Sequence, residues 1–150
     1  MLNNKNKINN LYHYTCLLHL QTIADAGYLK LTDANLTYKP MTKSVVWLTD
    51  DANVKAETKE FYGLGDVCVP LIVDKSVVKF TIPRKQHHKY WNVWKKQQKH
   101  DKDWLRSLEE GRKPGNWFIS ETEISLSDVS QIENTITGEV YWVNPDFAKM

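Results

Sequence analysis

The chain has 150 residues, 41% of them hydrophobic and 25% charged, with a formal net charge of +2. Such a chain is long enough for one domain with its own core and has the make-up of an ordinary soluble globular protein. No run approaches the roughly eighteen apolar residues of a membrane span, Met1-Leu2-Asn3-Asn4-Lys5 lacks the apolar segment of a signal peptide, and Cys16 and Cys68 alone make no disulfide framework. A cytoplasmic protein is the expectation.

Residues 1–10 are rich in Asn and Lys and predict a flexible N-terminus, with a single domain over 11–150. Leu11 to Thr15 reads as a strand. Thr15 is placed to cap a helix over Cys16 to Ala26, with Leu17, Leu20, Ile23 and Ala24 at helical spacing and Gly27 as its left-handed stop. Tyr28 to Leu31 is a short extended piece, and Thr32 to Ser44 is a polar loop long enough to carry function. Val45 to Thr49 is β-branched and apolar, as in a buried strand.

Asp50 or Asp51 could cap a second helix reaching Phe61, ahead of Gly63 and Gly65. Val67 to Val73 and Val77 to Ile82 read as strands on either side of Asp74-Lys75-Ser76, the first an edge strand because of Pro70. Helices are expected over His88 to Lys99 and Asp103 to Glu110. The turn Lys113-Pro114-Gly115-Asn116 precedes a strand at Trp117 to Ser120, and the Thr137-Gly138 turn precedes another at Val140 to Val143. Strands mixed with helices without strict alternation predict an α+β fold: a small mixed or antiparallel sheet with flanking helices.

Charge is unevenly spread. Between Arg84 and Lys102 there are seven basic residues against one acid, whereas Ser120 to Met150 holds six acids and one lysine. Arg84, Lys89, Lys95, Lys96 and Lys99 interleave with Tyr90, Trp91 and Trp94, which could form a phosphate-tracking surface with stacking rings. The plainer reading is an amphipathic helix, its tryptophans inward and its lysines in water. Histidines 87, 88 and 100 with Cys68 have no metal-ligand spacing and read as solvated surface residues. Cys16 reads as a core cysteine rather than a nucleophile.

His13 and Thr15, two apart on one strand, point to the same face. The order Tyr12-His13-Tyr14-Thr15, Leu20-x-x-Ile23, Gly27-x-Leu29, then Val45-Val46-Trp47-Leu48-Thr49, then Lys113 to Ser120 with Trp117-Phe118-Ile119-Ser120, carries a resemblance. It is similar to the H-x-T opening and following helix of DNA-targeting ADP-ribosyltransferase toxins and RNA 2′-phosphotransferases. It also resembles a set of short bacterial and phage proteins with the same order of motifs, and the pattern covers most of residues 11–133.

The resemblance implies an ADP-ribosyltransferase-like fold and NAD as a substrate, with no metal. In such an enzyme a strand-borne histidine donates to a ribose hydroxyl, and a carboxylate faces the charge that develops as nicotinamide leaves. Losing one such preorganised group typically costs roughly 3–4 kcal/mol of barrier. Carried onto this chain, His13 is the ribose contact, Thr15 and Thr49 support it, and Trp47 could stack on a ring. The family's late-strand glutamate falls near Trp117 here, so the carboxylate would come from Glu121 or Glu123, if the strand continues. The competing reading makes Ser120 and Glu123 a capping box.

Three functions are compatible with these residues. The first is NAD-dependent ADP-ribosyl transfer to a macromolecular acceptor, protein or nucleic acid. The second is a catalytically silent module that binds a nucleotide or a partner protein, as a phage-encoded antagonist of host defence would. The third is nucleic-acid binding through Arg84 to Lys102.

Overall fold

A computed structural model describes residues 8–31, 44–54, 76–97 and 102–148. In chain order they form β1 (Asn10–Thr15), α1 (Leu17–Ala26), β2 (Tyr28–Leu29), β3 (Val46–Thr49), β4 (Val78–Pro83), β5 (His88–Tyr90), α2 (Trp91–Gln97) and α3 (Lys102–Glu109). A 3₁₀ turn at Pro114–Asn116 leads into β6 (Trp117–Ser120) and β7 (Ile124–Ser125). After a second 3₁₀ turn come β8 (Gln131–Asn134), β9 (Val140–Val143) and the single helical turn α4 (Pro145–Ala148).

Seven strands make one sheet in the order β5-β6-β3-β1-β4-β8-β9, with every neighbouring pair antiparallel, and β2 and β7 form a separate two-stranded ribbon. The fold is α+β with an antiparallel sheet. Chain alternation explains the layers. In β4, Val78, Phe80 and Ile82 are buried while Lys79 and Thr81 face the other way. Cross-strand partners share a face, so Leu11, His13 and Thr15 join Val78, Phe80 and Ile82 on one side, the core face.

Leu48, Phe118 and Ile132 complete that side, under Leu17, Leu20 and Ile23 of α1 and under Leu29 and Ile124 of the ribbon. Fully burying a ring such as Phe80 or Phe118 is worth about 1.5–3 kcal/mol. The opposite face divides in two. Over β3 and β6 it is closed by a second core of Val45, Trp91, Trp94 and Ile119, with Trp47, Trp117, Leu105 and Leu108 packed against it. Over β1, β4 and β8 it is polar, with Tyr12, Lys79, Thr81 and Glu133.

Local expectations hold in part. Gly27 is left-handed (φ 83°) and its N–H closes α1 on the Ile23 carbonyl at 2.9 Å. The cap, however, is Cys16, with no side-chain bond; the Thr15 hydroxyl lies 3.3 Å from His19 Nδ1 instead. Residues 50–54 form a bend and turn in place of a helix start, and the rest of the helix expected to Phe61 lies outside the described residues, as do Thr32 to Lys43, Gly63, Gly65 and the strand expected at Val67 to Val73.

His88 to Tyr90, expected as the first turn of a helix, is strand β5, and the helix starts at Trp91. Three side chains alternating across β6 outweigh one more helical turn there, because His88 is buried opposite Ser120. Near the N-terminus, Ile8 packs against the core, Asn9 accepts from the Arg84 N–H, and Asn10 already pairs with Pro83. No helix among the described residues is long and apolar enough to cross a membrane.

Candidate functional site at the β1–β3 seam

β3 has two unequal edges. Toward β6 it forms four residue pairs, Val46↔Ser120 through Thr49↔Trp117. Toward β1 it forms one, Tyr12↔Thr49, after which the ladder stops. Had it continued, Tyr14 would face Trp47. Instead the His13 imidazole reaches the Trp47 carbonyl, with Nδ1 2.8 Å from the oxygen. There a side chain does the work of a ladder bond.

A carbonyl only accepts, so Nδ1 carries the proton and Nε2 is the acceptor of the neutral ring. Burial lowers the His13 pKa, the Trp47 carbonyl opposes that shift, and nearby His19 adds to it. The net direction favours the neutral imidazole. The ring also packs edge-on against Phe80, 5.9 Å between centroids. The neutral ring thus has an acceptor at Nε2, where a donor was expected.

The register decides which other residues join it. Thr49 lies directly across from Tyr12 and therefore on the face opposite to His13. Its hydroxyl accepts from the Asp51 N–H at 3.1 Å, which shapes the turn after β3. Trp47 shares the Thr49 face and packs between Trp91 and Trp117, at 5.1 and 5.7 Å between centroids. It is a core residue of the tryptophan cluster. Thr15 does share the His13 face, is nearly fully buried at 6% exposure, and contacts His19.

Glu121 stands apart from His13. β6 ends at Ser120, whose hydroxyl donates to the Thr122 carbonyl (2.7 Å) and accepts from the Thr122 N–H, a local turn and no capping box with Glu123. The Glu121 carboxylate accepts from Lys89 Nζ at 2.6 Å. Lys89 pairs with Ile119 on the tryptophan face, so this ion pair lies across the sheet from His13. Glu123 is exposed, next to the start of β7.

The basic block is largely occupied within the molecule. Lys95 and the Trp91 indole N–H both donate to one oxygen of Glu109, at 2.7 and 2.6 Å. Burial alone would raise the Glu109 pKa, but these two donors and the Lys95 charge hold it below the usual carboxylate range. Lys85 pairs with Asp128 at 2.9 Å, and the Arg84 guanidinium sits 4.9 Å from the Phe118 ring centre. Lys96 is exposed, and Lys99 lies outside the described residues.

His88 was expected on the surface and is instead 2% exposed. Its Nδ1 accepts from the Lys85 N–H at 3.0 Å, and burial, helped by His87, Arg84 and Lys85, pushes its pKa down to about 4. The alternation Lys85-Gln86-His87-His88-Lys89 gave no apolar signal by which to find it. Among the described residues no three His, Cys, Asp or Glu side chains come together to hold a metal.

A pocket of about 190 Å³, lined by Ala52, Asn53, Val54, Lys79, Glu133, Asn134, Thr135 and Gly138, opens on the polar half of the opposite face. Lys79 fills its floor by donating to the Ala52 carbonyl at 2.7 Å and approaching Glu133 at 3.5 Å. No family model matches the chain, and neither the curated proteins nor the solved structures hold a match to it.

Proposed function

We propose that this chain is a nucleotide-binding module on an ADP-ribosyltransferase-like sheet, holding NAD or an ADP-ribose fragment at His13 without cleaving it. The strands that carry the resemblance, β1, β3 and β6, lie side by side, which supports the likeness in fold. The observation that carries the silent reading is the separation of His13 from Glu121. Cleavage needs an anion beside the ribose where positive charge develops, and Glu121 is spent on Lys89 across the sheet. Binding needs only the seam and its Nε2 acceptor.

Transfer to a macromolecular acceptor remains the rival, with Glu123 as its carboxylate. Incubation with NAD labelled on the nicotinamide and on the adenylate separates the two. The silent module shifts the melting temperature in NAD and ADP-ribose, releases no nicotinamide, and labels no protein, DNA or RNA. At a hundredfold excess over Kd the stabilisation is about 2.7 kcal/mol. Nicotinamide release abolished by Glu123→Gln would restore the enzyme. No stabilisation by millimolar nucleotide would end both.

A further inference from the structure

Among the described residues the seven-stranded sheet has two edges, β5 and β9, and they are finished differently. β5 is three residues long, carries Lys89, and runs straight into α2. Short length and a lysine are ordinary ways to blunt an edge against further pairing. β9 is Val140-Tyr141-Trp142-Val143, with no charged residue and no proline, and Val140 and Val143 are 47% and 51% exposed.

Backbone direction adds to this. The Asn144 N–H bonds to the Ser130 carbonyl, and the Glu139 carbonyl accepts from the Asn134 N–H, so both residues turn their ladder groups toward β8. Along a strand these groups alternate sides. Val140 and Val143 therefore turn theirs outward. Between them Tyr141 is the extra residue of a β-bulge, because Val140 faces Glu133 while Trp142 faces the adjacent Ile132. Tyr141 and Trp142 pack against the core and anchor the strand. Among the described residues the rim thus offers two exposed valines with outward-turned backbone groups.

Charge says what fits. Glu139 and Asp146, both exposed, flank the strand at its two ends. Antiparallel pairing with β9 of a second copy would bring these acids toward each other, which disfavours self-pairing. We propose that β9 is a docking edge for an extended segment of a partner protein, β-branched in its middle and basic at both ends. Main-chain bonds to Val140 and Val143 supply the affinity, the valines contact alternate side chains, and the two acids set the preference.

The test uses the full chain and two synthetic ten-residue peptides of alternating valine and threonine, one ending in lysine pairs and the other in glutamate pairs. Calorimetry should show the lysine-ended peptide binding roughly tenfold or more tightly than its acidic twin. Amide exchange should slow at Val140 and Val143 when it is bound. Val143→Lys should remove binding with the melting temperature unchanged, and Glu139→Lys with Asp146→Lys should reverse the preference. Equal binding of both peptides, no binding of either, or self-association in sedimentation that Val143→Lys abolishes would each overturn the proposal, the last in favour of a second copy.

Discussion

The two edges of β3 form a contrast within a single strand. Toward β6 every residue from Val46 to Thr49 is paired, and Trp47 is locked among Trp91 and Trp117. Toward β1 the ladder stops after one pair and an imidazole holds the Trp47 carbonyl. One side is finished by apolar packing. The other is finished by a polar side chain whose remaining nitrogen has chemistry to offer. If the β1–β3 seam is the proposed nucleotide site, the two seams should respond differently to mutation.

The largest expected effect is on the closed side. Trp91 is fully buried in the tryptophan cluster and its indole N–H satisfies Glu109. Trp91→Ala should cost about 3–5 kcal/mol in urea unfolding, from the cavity and from the carboxylate left with one donor fewer. A loss below 1 kcal/mol would mean that the cluster is not the structural half of the sheet.

Acid should come next. His88 is neutral when folded, with its pKa lowered to about 4, whereas an unfolded histidine titrates near 6.5. The unfolded state then binds more protons between those values, so stability is full above about pH 6.5 and falls as pH drops toward 4, by up to roughly 3 kcal/mol. His13 acts in the same direction. Glu109, its pKa depressed, loses its contribution only at lower pH still, as the pH falls through its folded value. Chemical denaturation of the parent and of His88→Gln from pH 7 to 4.5 should show the parent's slope flattened in the variant.

On the β1 side, His13→Ala should cost only about 1–2 kcal/mol, one side-chain bond to a backbone carbonyl. It should, however, remove the nucleotide-induced melting shift, which Trp47→Phe, on the other face, should leave in place. The combination of small stability loss and complete ligand loss is the signature of a recognition seam. A variant that still binds NAD as tightly as the parent would remove His13 from the site.

The smallest effects distinguish engaged from idle lysines. Lys95→Met should cost about 1–2 kcal/mol because it strips a partly buried carboxylate of a charged partner. Lys96→Gln, on the exposed side of α2, should stay within about 0.5 kcal/mol. Equal values would mean that the Glu109 contacts add nothing to the closed half.

Local pattern made much of the fold legible. The strict alternation of β4, the β-branched run of β3 and the glycine ending α1 each act through neighbours in sequence, and each element appears where it was expected. Within one strand the pairing of faces was also readable: His13 goes with Thr15, and Trp47 with Thr49. What could not be read was how one strand's faces match another's. A single-residue change of register flips a whole strand, and the pair Tyr12↔Thr49 separates His13 from Thr49 and Trp47.

Other readings fell on the same dividing line. His88 lies in a polar run, and only its place opposite Ser120 buries it. Glu121 lies two residues from Ile119 in sequence, and only the position of Lys89 on the neighbouring strand ties its carboxylate to the face away from His13.

By itself, then, the sequence determined elements such as β1, α1, β3 and β4, the coarse class of fold and which residues share a face within each strand, because those follow from the dihedral period of the backbone and from neighbours a few residues apart. Tertiary structure alone decided which strands became neighbours, in what register, and how far each ladder ran. Those choices minimise exposed apolar area over the whole sheet, with tryptophans from β3, α2 and β6 meeting across 70 residues of chain. No local segment contains the information for that closure, or for the ladder that stops where His13 bonds to the Trp47 carbonyl.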